Sequence, residues 1–410
     1  MENTLSMKEY NENQIFDNLE QNEKEEFSAF SLENYIRSAA QRMIQAALES
    51  EVDEFLQRAK YDKSKVDEFR GYRNGYHQSR TISTAVGGLQ VRVPRISDNP
   101  QKYESKLVKP YQRRSEGLNN LFPKLFIEGL STRDFEPSLR FLVGEQAPLS
   151  PSAISRLNKQ FKADYEIWQK TDLSGKKFYY IYADGVYLSA GIALEKACLL
   201  VIIGIDEFGE KHLLGLKQGF RESKESWKEL LLDLRNRGLN EPAVAIADGG
   251  LGFWAALPEV FSQTKEQLCW LHKTRNILNK LPKSELEEAV QRLRAIHLAE
   301  DKAEAERLAK KLIKQWNEVE TTKNAAKCLE LALERLLTFY EFPSEHARHL
   351  RTTNPIESVF ATIRLRTKPM KRFRTINSGV HLVFKLLERA KTGWRGIGNP
   401  EKLKEVKLPS

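Results

Sequence analysis

The sequence predicts a mixed α/β fold preceded by a mainly helical region, and three observations support this prediction. Residues 178–188 are almost continuously apolar and aromatic, which is typical of a strand buried on both faces of a sheet. Two more apolar strands and an amphipathic helix follow, and then the wholly apolar run 243–247. After residue 277 the chain has about seventy residues of helical periodicity.

Length and composition set the limits of this prediction. The 410 residues allow two or three domains, and a hydrophobic content of 40% is ordinary for a folded protein. The sequence has no apolar run long enough to cross a membrane and no signal peptide at its start, so we expect a cytoplasmic protein. The three cysteines are widely spaced and odd in number, which favours reduced thiols over disulfides.

The distribution of charge indicates a polyanionic partner. Residues 1–60 hold 6 Lys and Arg against 13 Asp and Glu, whereas residues 361–410 hold 13 against 3. A basic cluster of this kind is typical of proteins that bind nucleic acid, although a solvated basic tail has the same composition.

Residues 1–30 form an acidic lead that we expect to be flexible, and residues 31–170 form the mainly helical region. An amphipathic helix begins at Leu32, and period-two alternation between residues 81 and 94 predicts a small hairpin. Three further helices, at 118–129, at 131–144 and after Pro151, predict a helix-turn-helix. The third would expose Arg156 and Lys159 to bases and phosphates in a major groove, but three-helix units also serve as plain scaffolds.

Residues 171–276 contain the predicted sheet. Three strands joined by short connections form an antiparallel meander, and a helix then crosses to the run 243–247, which should lie parallel to the first strand. If those two strands are neighbours, Asp184 and Asp248 emerge at the same edge and can share a metal ion. An Asp-Gly pair is also a common turn, so Asp184-Gly185 alone does not distinguish the two interpretations.

Residues 277–350 are predicted to be a helical insertion, and residues 351–410 hold a last core helix and the basic end of the chain. Asn354 and Pro355 suit the start of that helix. Glu357 then lies beside its buried stripe, where it is a candidate metal ligand. It could instead close a capping box with Asn354.

These motifs together resemble the mutator-type insertion-sequence transposases of bacteria. The residues that carry the resemblance are Ala-Asp184-Gly, Ala-Asp248-Gly-Gly, Cys269-x-x-His272-x-x-Arg275-Asn276 and Thr-Thr-Asn354-Pro-Ile-Glu357-Ser. The resemblance extends over residues 35 to 391. It implies a ribonuclease-H-like catalytic core with an all-helical insertion, preceded by a mainly α-helical DNA-binding region that contains the helix-turn-helix.

The resemblance also implies the chemistry and the partners. Asp184, Asp248 and Glu357 would form a DDE triad that binds two Mg²⁺ ions, with Mn²⁺ able to substitute, and such metal pairs activate the attacking oxygen and stabilise the departing one. His272 and Arg275 would contact the DNA end, while Arg364 and Arg366 would hold the phosphate backbone. The expected partners are double-stranded terminal inverted repeats and target DNA, bound by a homo-oligomer.

Other functions remain open on the sequence alone. A DNA-binding regulator derived from a transposase but unable to cleave is the main alternative, and a nuclease without strand transfer is another. A structural zinc site at Cys269 and His272 is disfavoured, because such sites need four ligands and no second pair stands nearby.

Overall fold

The computed structural model describes residues 32–62, 70–127, 151–189, 196–219, 221–367 and 376–409. The chain forms two compact units, Met1–Ile154 and Ser155–Ser410. The predicted acidic lead, the second helix of the predicted helix-turn-helix and the basic cluster at 368–374 lie outside the described residues. The division into units falls after Ile154, whereas the sequence grouped residues up to 170 with the helical region.

The first unit packs a long helix on small antiparallel sheets. Its elements are α1 (Leu32–Leu56), β1 (Tyr72–Tyr76), β2 (Arg80–Thr84), β3 (Gly87–Val91), β4 (Pro94–Ser97) and α2 (Glu116–Ile127). β2 and β3 form the predicted hairpin, while β1 pairs with β4. Leu48 of α1 packs in one cluster with Ile82, Leu89, Val91 and Val108, which joins the helix to the hairpin.

The second unit contains most of α3 (Pro151–Trp168), which leads to a five-stranded sheet. In chain order the strands and the helices between them are β5 (Phe178–Ser189), β6 (Lys196–Asp206), β7 (Lys211–Gly219), α4 (Lys224–Asn236), β8 (Val244–Ala247), α5 (Leu251–Val260) and β9 (Lys265–Leu268). The strand order is β7-β6-β5-β8-β9. β5, β6 and β7 are antiparallel, and β8 and β9 run parallel to β5.

The sequence accounts for this sheet through its apolar strands. All four residues of β8 are buried, as is most of the middle of β5 and β6, so both faces of the sheet are covered. The predicted meander and the parallel pairing of β5 with β8 are confirmed. The sequence missed β9, whose residues Lys-Glu-Gln-Leu are too few and too polar to give a strand pattern.

Helices make up most of the described chain after β9. They are α6 (Trp270–Leu278), α7 (Leu286–His297), α8 (Lys302–Asn317), α9 (Lys323–Glu330), α10 (Leu333–Leu336), α11 (Ala347–Leu350), α12 (Asn354–Thr367) and α13 (Ile376–Lys391). α12 packs against β5, and α13 packs against α12 and β7. The indole of Trp270 at the start of α6 donates to the carbonyl of Leu336 at 2.8 Å, which ties the start of this helical segment to its later part.

Candidate active site

Asp184 and Asp248 stand side by side because of the strand order. β5 pairs with β8 in parallel register, and the last pair is Ala183 with Ala247. The next residue on each strand is the aspartate, so both carboxylates leave the sheet at the same level. Asp184-Gly185 does not end its strand, since these residues pair with Val201 and Leu200 of β6. The interpretation of this pair as a terminal turn is therefore wrong.

Backbone amides orient both carboxylates. The amide of Gly185 donates to Asp184 Oδ1 at 2.8 Å, and the amide of Gly250 donates to Asp248 Oδ1 at 2.8 Å. The indole of Trp254 donates to the carbonyl of Asp248 at 2.6 Å, which holds the main chain at the end of β8. The two side chains are thus oriented by backbone groups close to them in sequence.

The environment of Asp184 favours a cation. Burial raises the pKa of Asp184 to about 7, and the charge of Asp248 adds to the rise, although the Gly185 amide and the charge of His272 oppose it. Burial and a like charge both penalise an ionised carboxylate, and a bound divalent cation reverses that penalty.

Glu222 is a third carboxylate at this edge that the sequence did not reveal. It lies between β7 and α4, next to Ser223, the N-cap residue of α4. A Cβ atom built on Gly185 would overlap Glu222 Oε1, and one on Gly250 would lie 3.2 Å from Glu222 Oε2 and 2.9 Å from Asp248 Oδ1. The only signal in the sequence is the set of glycines that leaves room for it.

Glu357 lies in the first turn of α12 and belongs to a hydrogen-bonded cluster. The Thr353 hydroxyl donates to Glu357 Oε1 at 2.8 Å, and His272 Nε2 lies 3.6 Å from the same oxygen. The predicted capping box is wrong, because the amide of Asn354 is 3.4 Å from Thr352 Oγ1 and the carbonyl of Thr353 accepts the amide of Glu357. Thr353, rather than Asn354, thus opens the helix.

The same cluster includes Cys269 and His272, which start α6. Cys269 is 1% exposed, and its Sγ accepts the backbone amide of Thr353 at 3.3 Å. The hydrogen bond with Cys269 raises the pKa of His272 to about 9, and the charges of Glu357 and Asp184 act in the same direction. These contacts favour the protonated form of His272, which interacts electrostatically with both Asp184 and Glu357.

Ligand atoms of Cys269, His272 and Glu357 lie within 4.8 Å of one another, a spacing compatible with a metal ion. However, the Thr353 hydroxyl lies 3.3 Å from Cys269 Sγ, 3.4 Å from His272 Nδ1 and 2.8 Å from Glu357 Oε1. The hydroxyl thus already fills the centre of the cluster.

The aspartate edge offers the chemistry that Mg²⁺ prefers. Its donors are carboxylate oxygens, and the exposed Gly249 and part-buried Gly250 carry no side chain over them. A Cβ on Gly249 would meet nothing within 4 Å, so the approach to Asp248 is open there. These features fit a hydrated divalent ion.

The predicted DNA-contacting residues are only partly described. Arg275 on α6, Lys159 on α3 and Arg364 on α12 are exposed, and the Arg364 guanidinium lies 6.0 Å from the centre of the Phe360 ring. His272 and Arg275 lie on one short helix beside Glu357. The side chains of Arg156 and Arg366 lie outside the part of the chain that the structure describes.

Comparisons with known proteins agree on one family. The family described as "Transposase, Mutator family" matches residues 10–396. The chain is 42% identical over 283 residues to the transposase for insertion sequence element IS6120 of Mycolicibacterium smegmatis, which covers 69% of this chain and 87% of the relative. It is also 42% identical over 275 residues to the transposase for element IST2 of Acidithiobacillus ferrooxidans, covering 66% and 92%.

Among solved structures, the chain is similar to the Drosophila P element transposase strand transfer complex. The similarity covers 68% of this chain and 100% of that one, with 11% identity and a TM-score of 0.28. So weak a structural similarity supports no argument about this site. In the described part of the chain, no helix is long and apolar enough to cross a membrane.

Proposed function

We propose, because this chain belongs to the Mutator family of transposases, that it cuts DNA at the ends of an insertion sequence and joins those ends to target DNA. The observation that carries the proposal is the parallel pairing of β5 with β8, which brings Asp184 and Asp248 to adjacent positions. Two carboxylates at one sheet edge can bind a divalent metal for DNA cleavage, and a DNA-binding regulator would not need such a site.

The sheet order supports a ribonuclease-H-like core. Three antiparallel strands are followed by two parallel ones, and the first strand lies at the centre, with Asp184 directly after its last pair with β8. In this core Asp184, Asp248 and Glu357 form the proposed triad. Glu357 is supplied by α12, which packs against β5, the strand that carries Asp184. This packing supports a triad whose members are separated in sequence by a helical segment.

Two Mg²⁺ ions, or Mn²⁺ in their place, would supply activation of the attacking oxygen and stabilisation of the leaving oxygen. Asp184 and Asp248 would hold them, and Glu357 would complete the ligand set. The Thr353 hydroxyl fixes the carboxylate of Glu357, while protonated His272 brings a positive charge to the site where a phosphate would lie.

Double-stranded DNA is the proposed substrate, with the terminal inverted repeats bound first and target DNA second. Exposed Arg275 and Arg364 are suited to its phosphates, and Lys159 is suited to a contact further from the site. Action on two ends at once requires more than one copy of the chain, so a homo-oligomer on DNA is part of the proposal.

The experiment compares the wild type with Asp184→Asn, Asp248→Asn and Glu357→Gln on a duplex that carries the terminal repeat. Each variant keeps the size of the side chain but loses a charge that holds metal, so each should lose cleavage and joining while still binding the duplex. The wild type should be active in Mg²⁺ or Mn²⁺ and inactive in EDTA. A wild type that binds the repeat but never cuts it would favour the regulator.

A further inference from the structure

Glu222 occupies the space between the two Asp-Gly segments. Its Oε1 lies against Gly185 so closely that a Cβ there would overlap it, and its Oε2 lies over Gly250. A Cβ atom on Gly252 would likewise overlap the carbonyl oxygen of Glu222, so the main chain of Glu222 is packed as tightly as its side chain. One carboxylate therefore spans both aspartate-bearing segments, and the glycines are what allow it to do so.

Opposing effects act on the carboxylate of Glu222. Burial raises the pKa of Glu222, and the charge of Asp248 raises it further. The nearby hydroxyl of Tyr187 and the charge of His272 lower that pKa, but the pKa remains above its usual value. Within the part of the chain that the structure describes, Glu222 forms no salt bridge. Three carboxylates thus lie near one another at one edge, and in addition to His272 a bound cation would reduce the cost of ionising them.

We propose that Glu222 is a fourth metal-binding carboxylate, which acts with Asp184 and Asp248. This inference rests on the proposed function, because it assumes that the aspartate edge binds divalent metal. Asp184 then has two neighbouring carboxylates. Asp248 is its neighbour because β5 pairs with β8, and Glu222 is its neighbour because the carboxylate of Glu222 lies against Gly185. Two glutamates from different helix ends, Glu222 before α4 and Glu357 within α12, would then contribute ligands to the site.

A purely structural role for Glu222 predicts different behaviour. In that role the carboxylate would accept the Tyr187 hydroxyl and fill the space over the glycines. Glu222→Gln keeps both the volume and an oxygen acceptor, but removes the charge. The substitution should then leave metal affinity unchanged, whereas the loss of a metal ligand should weaken it.

The test is a titration of the full chain, without DNA, with Mn²⁺, in which the free ion is measured by electron paramagnetic resonance. We expect Glu222→Gln to weaken Mn²⁺ binding by roughly tenfold or more, the scale of losses seen when groups that support a metal site are removed. Glu222→Asp, which keeps the charge on a shorter side chain, should recover part of the affinity. Glu225→Gln is the matched control, because Glu225 is exposed in the first turn of α4, three residues further on.

Thermal unfolding separates a lost ligand from a damaged fold. In EDTA the Glu222→Gln variant should unfold at the same temperature as the wild type or higher, since a repelling charge has been removed. Added Mn²⁺ should stabilise the wild type more than the variant. If the variant binds Mn²⁺ as tightly as the wild type, or unfolds well below it in EDTA, Glu222 has a structural role and the inference is overturned.

Asp184→Asn distinguishes failure of this inference from failure of the proposed function. If Asp184→Asn loses both Mn²⁺ binding and DNA cleavage while Glu222→Gln retains both, only the role of Glu222 is wrong. If Asp184→Asn also binds Mn²⁺ normally, the aspartate edge is not a metal site and the proposed function fails with it.

Discussion

Replacement of Thr353 by valine should slow DNA cleavage without loss of DNA binding. Thr353 is fully buried, and its hydroxyl donates at 2.8 Å to the Glu357 carboxylate. Valine has nearly the same shape but no hydroxyl, so the carboxylate loses the bond that fixes its orientation. The carbonyl of residue 353, which accepts the first amides of α12, is unaffected by the change.

The size of the effect follows from the kind of bond that is lost. A hydrogen bond to a charged group contributes about 1.5–3 kcal/mol. If the whole of that contribution is used to hold Glu357 in its reactive position, the rate should fall by roughly 10-fold to 150-fold, since about 1.4 kcal/mol corresponds to a factor of ten. Thr353→Ser retains the hydroxyl and should remain within about threefold of the wild type.

Single-turnover cleavage of a terminal-repeat duplex measures this rate, and a binding titration with the same duplex measures affinity. We expect the valine variant to lose rate at saturating DNA while its affinity stays the same. A valine variant as fast as the wild type would refute the idea that the hydroxyl positions Glu357. A serine variant as slow as the valine variant would show that packing at this position matters and the hydroxyl does not.

Three further substitutions test other parts of the structure. Gly252→Ala should lower the free energy of unfolding in urea by about 1–3 kcal/mol, because the new Cβ would overlap the carbonyl of Glu222. In the control Gly249→Ala the new Cβ meets no atom within 4 Å, so the free energy of unfolding should change by less than about 0.5 kcal/mol. Equal effects at the two glycines would contradict the close packing. Asp206 is fully buried, and although burial raises its pKa, hydrogen bonds from Lys176 and from the backbone amide of Glu210 hold that pKa below its usual range. Asp206→Asn should therefore lower the free energy of unfolding at pH 7 by about 1–3 kcal/mol. The difference from the wild type should shrink below about pH 4, where the aspartate of the unfolded chain becomes protonated. An undiminished difference at about pH 3 would exclude the ionised form of Asp206 as its cause. Arg275→Gln should reduce the slope of log affinity for duplex DNA against log salt concentration by about 1, and an unchanged slope would remove Arg275 from the phosphate contacts.

The adjacent positions of Asp184 and Asp248 could be predicted because each aspartate is located by a local sequence pattern. The apolar runs identify the two strands. The helix that directly precedes the second strand makes this connection a crossover, and a crossover joins parallel strands. The sequence then places each aspartate directly after its strand's apolar core. What it could not give was the continuation of β5 through Asp184-Gly185, because pairing with β6 decides this and pairing is a tertiary property.

The start of α12 shows a second limit. Thr353 and Asn354 are adjacent polar residues, and both can cap a helix, so the sequence does not say which of them opens it. The structure decides through contacts that are distant in the chain, since the amide and hydroxyl of Thr353 both lie at 3.3 Å from Cys269 Sγ, 84 residues away. The same packing brings His272 to Glu357, which spacing alone could not predict.

Glu222 shows why a group of carboxylates at one sheet edge is hard to find completely from sequence. A glutamate beside the N-cap of a helix is ordinary, and nothing near it is apolar enough to mark it as buried. Its position becomes evident only when the glycines of the two aspartate segments are considered together, because a side chain at Gly185 would occupy the place of its carboxylate. The glycines therefore serve a different purpose from the turn that Asp-Gly usually indicates. At Gly185 the backbone is an extended strand in the middle of its pairing with β6, so what the missing side chain provides there is space for a third charge beside Asp184.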